Sequence, residues 1–91
     1  MIASIDISLY PLAMQTYEAE IWQFIDRLRS VDGLKVVTNG LSTQVFGDYD
    51  LATTHVLEAI KQVHQRTGSA VFVVKLLAGE VAFERPHRDV G

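Results

Sequence analysis

The order strand, helix, strand, strand, helix, strand can be read along this chain of 91 residues. It predicts one α+β domain, an antiparallel sheet with both helices on one face. Three observations carry that expectation. The chain opens on a run of strict period two, two stretches of helical periodicity follow, and the tight-turn pair Asn39-Gly40 falls between two short β-rich segments.

In the opening strand Ala3, Ile5, Ile7 and Leu9 share one face, and Ser4, Asp6, Ser8 and Tyr10 the other. Pro11, which has no N–H for a ladder, ends it. Met14, Tyr17, Ile21, Phe24, Ile25 and Leu28 recur at three and four residues, the stripe of a helix lying on a core. Thr16 is its candidate N-cap. Glu18 and Glu20 suit its first turn, and Arg27 and Arg29 its last. Asp32-Gly33 is the stop. Leu34 to Thr38 reads as a second strand, joined through a two-residue turn at Asn39-Gly40 to a third from Leu41 to Phe46, after which Gly47-Asp48 opens a turn. The second helix is expected from about Leu51 to Arg66, capped by Asp50 and ended by Thr67-Gly68, with Ala52, Val56, Ala59, Ile60 and Val63 as its apolar stripe. Ala70 to Leu77 is nearly all apolar and reads as a strand covered on both faces.

With one tight hairpin and two helical crossovers, right-handed connections give a ferredoxin-like βαββαβ sandwich with strand order fourth, first, third, second. Residues 1–78 form the expected domain and 79–91 a tail, in which Val81-Ala82-Phe83 is apolar enough to dock and Pro86 onward is loose.

Composition narrows the function classes. Hydrophobic residues make up 48% and charged residues 21%, so a folded domain is expected. The net charge is -3, with no basic cluster to neutralise phosphates, which argues against nucleic acid. Without cysteine there are no disulfides and no thiolate chemistry. The N-terminal residues meet Asp6 before any apolar run develops, so neither a signal peptide nor a membrane span is expected, and the cytoplasm is the expected compartment. A lone core of this size is marginal, which favours self-association as a homodimer or homotetramer.

Enzyme chemistry finds little in the residues. Asp48 and Asp50 fit turn and cap roles. His55 and His64 lie nine apart on a helix, half a turn out of register for a metal pair, and His87 falls in the tail. Ser4, Ser8 and Ser42 have no evident histidine base. Acylphosphatases share the expected fold, but Tyr10-Pro11-Leu12-Ala13-Met14 stands where their arginine-bearing loop would be. No catalytic residue, metal site or cofactor is expected.

Binding has better support. With both helices on one face, the other face carries Ser4, Asp6, Ser8 and Tyr10. Ser42, Gln44 and Phe46 suit that face better than Leu41, Thr43 and Val45 do. The last strand adds either Val71, Val73, Lys75 and Leu77 or their alternates. Such a mixture suits either a subunit interface or a pocket of apolar walls with a few polar anchors. Asp6 at mid-strand needs a partner: Lys75, a neighbouring hydroxyl or a cationic ligand.

Tyr10-Pro11-Leu12 after the opening strand, and Asn39-Gly40-Leu41-Ser42-Thr43-Gln44-Val45-Phe46-Gly47, give a resemblance over about residues 1–78 to the small thiamine-binding-protein family, related to the two-domain YkoF proteins. Two features depart from single-domain members. Their proline-methionine-glycine-threonine hairpin is replaced by Asn39 to Thr43, and their lysine-rich final segment by Lys75-Leu76-Leu77-Ala78-Gly79-Glu80. The resemblance implies a ferredoxin-like fold, assembly through sheet packing, and binding without catalysis of thiamine or its hydroxymethylpyrimidine part. It makes Asp6, Ser8, Tyr10, Asn39, Ser42, Thr43 and Gln44 the ligand-binding candidates.

Overall fold

The computed structural model describes residues 1–12 and 17–79. Six elements follow in order: β1 (Ile2–Pro11), α1 (Tyr17–Arg29), β2 (Lys35–Thr38), β3 (Thr43–Asp48), α2 (Tyr49–Thr67) and β4 (Ala70–Ala78). The sheet order is β2-β3-β1-β4 with every neighbouring pair antiparallel. This is the ferredoxin-like α+β arrangement that the element order predicts.

The period-two pattern of β1 decides which face is buried. Ala3, Ile5 and Ile7 are at most 2% exposed, and the two isoleucines pack with Val45 of β3 beneath both helices. From α1 come Phe24, Ile25 and Leu28, and from α2 Ala52, Val56, Ala59 and Val63. Sealing an Ile or Leu side chain from water contributes about 1.5–3 kcal/mol, so this layer is the main stabilising unit. Glu18 and Glu20 occupy the first turn of α1, and Arg27 and Arg29 its last. Thr16 and Met14, and the expected tail from Glu80 onward with Val81-Ala82-Phe83, Pro86 and His87, lie outside the described residues.

Local structure differs from the sequence reading in three places. First, the hairpin is not a two-residue turn. Thr38 pairs with Thr43, which leaves residues 39–42 as a loop. The Asn39 Oδ1 accepts from the backbone N–H of Leu41 at 2.8 Å and of Ser42 at 3.1 Å. The Asn39 side chain therefore closes the turn together with the bond from its backbone N–H to the Ser42 carbonyl at 3.1 Å, and Gly40 is not among the described glycines with positive φ.

Second, β3 runs straight into α2. Asp48 rather than Asp50 is the N-cap, its Oδ2 accepting from the Leu51 N–H at 3.1 Å. The junction is tight. A Cβ on Gly47 would lie 2.6 Å from Leu34 Cδ2 and 2.8 Å from the Gly33 carbonyl oxygen. At the other end of α2, Gly68 sits at φ 77° and donates its N–H to the His64 carbonyl at 2.8 Å.

Third, β4 is an edge strand, and within one chain neither of its faces is fully covered. Val71, Val73, Val74, Leu76 and Leu77 are between 42% and 48% exposed. The edge position is the one the expected strand order gives it, and the central positions belong to β3 and β1. Of the partners open to Asp6, Lys75 stands opposite it across β1 and β4 without forming an ion pair.

The N-terminal end of β1 is tied on two sides. The Met1 carbonyl accepts from the Tyr49 N–H at 2.8 Å, and the Ile2 carbonyl from the Gly79 N–H at 2.7 Å. The Ser4 hydroxyl donates to the Gly79 carbonyl at 2.7 Å. No helix among the described residues is long and apolar enough to cross a membrane.

Candidate functional site

Pairing aligns the open sheet face in rows. One row runs Val37, Gln44, Asp6 and Lys75 across the four strands. The next runs Lys35, Phe46, Ser4 and Leu77, with the Lys35 ammonium 5.9 Å from the Phe46 ring centre. On β3 the alternation places Gln44 and Phe46 here, and on β4 it selects Val71, Val73, Lys75 and Leu77 over their alternates. Ser8 and Tyr10 lie further along β1 on this face, Tyr10 being 54% exposed.

Asp6 finds its partners on β3 and the hairpin loop. Its Oδ1 accepts from the Ser42 hydroxyl at 2.7 Å and from Gln44 Nε2 at 3.0 Å. Gln44 Nε2 also donates to the Ser42 hydroxyl oxygen at 2.6 Å. The three side chains close a ring of hydrogen bonds, and both Gln44 amide hydrogens are spent inside it. Gln44 is only 5% exposed, so this ring is what makes its burial tolerable.

The concave surface lies elsewhere, where the hairpin tip meets α1. A cleft of about 150 Å³ is lined by Ile7, Leu9, Ile21, Phe24 and the hairpin residues 38–43. Beside it a wider groove of about 430 Å³ adds Glu18, Trp22 and Ile25 and shares Ile21, Thr38, Asn39 and Gly40. Thr43, turned to the helix side and 6% exposed, shares a 2.9 Å hydrogen bond with the Thr38 hydroxyl. Each of these hydroxyls keeps acceptor capacity on a wall that is otherwise aliphatic and aromatic.

The seven candidates therefore separate. Asn39, Ser42 and Thr43 line the concavity. Asp6 and Gln44 reach its rim only through their bonds to Ser42. Ser8 and Tyr10 stay on the open face. Sequence reading missed Thr38 and Trp22 and saw Glu18 only as a helix-end charge. Trp22 carries a signal that was there to find: it falls beside Ile21 but off the apolar stripe, and a tryptophan left 51% exposed on a helix needs a reason.

His64 is occupied structurally. Its Nε2 lies 2.8 Å from the Ala70 carbonyl oxygen, which can only accept, so this nitrogen carries the hydrogen. The ring also stands edge-on to Phe72 at 5.4 Å.

No family model and no curated protein sequence matches the chain. Solved structures do. The chain is similar to protein SP2199 from Streptococcus pneumoniae, at 27% identity over 89% of this chain and 90% of that one, with a TM-score of 0.79. It also superposes on a "putative thiamine biosynthesis/salvage protein" from Thermotoga maritima, at 18% identity over 92% of each chain and a TM-score of 0.75. A domain of unknown function, DUF77, from Bacillus cereus matches at 14% identity over 91% of this chain and 84% of that one, with a TM-score of 0.73. At 18% and 14% identity these last two likenesses establish a shared fold.

Proposed function

We propose that this protein binds thiamine or a related pyrimidine such as hydroxymethylpyrimidine without catalysis, as a homo-oligomer acting in transport, salvage or sensing of the vitamin. The observation that carries this reading is the concavity between α1 and the hairpin tip. Aliphatic walls, the Thr38 and Thr43 hydroxyls, the Asn39 amide, and Glu18 and Trp22 beside them make up its lining. An aminopyrimidine offers donor and acceptor edges to hydroxyl and amide groups. A thiazolium cation suits a carboxylate and an indole face. The fold likeness to a protein described as acting in thiamine biosynthesis or salvage points the same way. Self-association is supported by the half-exposed valines and leucines of β4.

The chain has a single tryptophan, and it lies in the groove, so its fluorescence reports on occupancy. Titration with thiamine, its phosphates and hydroxymethylpyrimidine should quench that emission saturably, and calorimetry should give a matching affinity. Thr43→Val should weaken binding about 10-fold or more, since it strands one polar edge of the ligand. No quench and no heat across the panel would overturn the ligand reading. A second reading, an interaction domain with no ligand, rests on the apolar surface of β4. It would then stand alone if light scattering gave an oligomer.

A further inference from the structure

On the outer side of the helix pair, Gln23, Asp26, Arg27 and Ser30 of the α1 region face Gln62 and Arg66 of α2 across a groove of about 400 Å³ floored by Phe24 and Ala59. The two arginines there are unequally employed. Arg66 donates through Nε to Glu20 Oε2 at 2.8 Å, and its terminal nitrogens make no further bond among the described residues. Arg27 is half-buried, and its Nε is shut off from water without any hydrogen-bond partner.

An unpaired donor drawn out of water is unfavourable, but an Nε that water cannot reach is closed to a ligand in the groove too, so Arg27 can engage one only through its terminal nitrogens. The position of Arg27 in the last turn of α1 accounts for a cation at that end of the helix, but a cation serving the dipole could remain fully solvated. The Ser30 hydroxyl is spent on the Arg27 carbonyl at 2.7 Å, but the terminal nitrogens of two guanidiniums and two carboxamides around one groove provide more donors than a lone carboxylate can accept. They match a tetrahedral oxyanion.

We propose that this inter-helix groove is a binding site for a phosphate-type oxyanion, held by Arg27 and Arg66, with Gln23 and Gln62 completing the donor set. The exposed Asp26 carboxylate opposes it and tempers the affinity. The groove lies on the other flank of α1 from Trp22 and shares only Phe24 with the hairpin cleft, so this inference does not depend on the vitamin reading.

Calorimetric titration with inorganic phosphate and with pyrophosphate, against chloride at matched ionic strength, tests the site. One saturable event per chain is expected. Arg27→Gln should weaken it by about 10- to 100-fold, the range of one charge-assisted contact. Arg27→Lys should weaken it too, because the charge remains but the fork is lost. Arg66→Gln should also weaken it, and it keeps the inference testable if Arg27→Gln fails to fold. Asp26→Asn should tighten it. Arg29→Gln makes the same charge change outside the groove and should leave affinity within about twofold, since exposed charges interact weakly across salt water. Absence of a saturable event, or equal weakening by Arg29→Gln, would overturn the proposal.

Discussion

Replacing Asp6 by Asn tests whether the hydrogen-bonded ring on the open face, rather than the lysine opposite, holds that carboxylate. Asn keeps an acceptor oxygen in nearly the same place, so both bonds to Oδ1, from Ser42 at 2.7 Å and Gln44 at 3.0 Å, can persist. What is lost is their charge assistance. A bond to an ionised group contributes about 1.5–3 kcal/mol and a neutral one about 0.5–1.5, so each loses about 1 kcal/mol. A half-buried carboxylate is costlier to desolvate than an amide, which offsets part of this. The net expectation is a loss of about 1–2 kcal/mol, or a fall in Tm of roughly 5–15 °C for a domain of this size. Lys75→Met should change stability by less than about 0.5 kcal/mol, because no ion pair is broken. Chemical denaturation of both single variants, the Ser42→Ala variant and the two doubles gives the coupling energies. Asp6 with Ser42 should couple by about 1 kcal/mol or more, and Asp6 with Lys75 by close to zero. A larger coupling to Lys75, or an Asp6→Asn variant as stable as the parent, would refute the reasoning. Ligand affinity measured on the same variant then distinguishes direct contact from support through Ser42.

Three further outcomes follow from the packing. Gly47→Ala should destabilise the fold by about 1–3 kcal/mol in denaturant melts, because its methyl would meet a backbone carbonyl as well as Leu34. Asp48→Ala should lose about 1 kcal/mol of helix capping, whereas Asp50→Ala should lose clearly less, and thermal melts of the pair check the cap assignment. If the proposed self-association uses β4, Val73→Glu in its middle should shift the light-scattering mass at micromolar concentration from oligomer to monomer without unfolding the chain.

Much of the fold was legible because its signals are local and repeated. The alternation in β1 and the stripes of α1 and α2 each assign several residues at once, so a single exception does not overturn them. The errors fall where one side chain decides. Asn39 closes its loop through its own carbonyl oxygen, an outcome that an Asn-Gly pair shares in sequence with a two-residue turn. Asp48 and Asp50 both suit a cap on paper, and the bond from the Leu51 N–H to the Asp48 carboxylate assigns it to the first. Periodicity correctly placed Asp6, Gln44 and Phe46 on one face. The concavity was not legible, because it forms between α1 and a hairpin tip that are remote in sequence, and Trp22 acquires a role only once they meet.

The central position of β1 has a consequence for how the protein is made. β1 leaves the ribosome first, yet its ladder partners are residues 43–48 on one side and 70–78 on the other. The bond from Ser4 to Gly79 spans 75 positions. At about 5–20 residues per second, the nascent chain carries a half-apolar strand with at least one open edge for several seconds, because β3 can flank one side but β4 does not yet exist to flank the other. Such a chain can complete its sheet only after synthesis of β4, and its slow non-local pairing favours holdase contact or aggregation during that interval. Ribosome-arrested chains ending before Ala70 should accordingly be protease-sensitive throughout β1, and chains with Gly79 outside the exit tunnel should be protected.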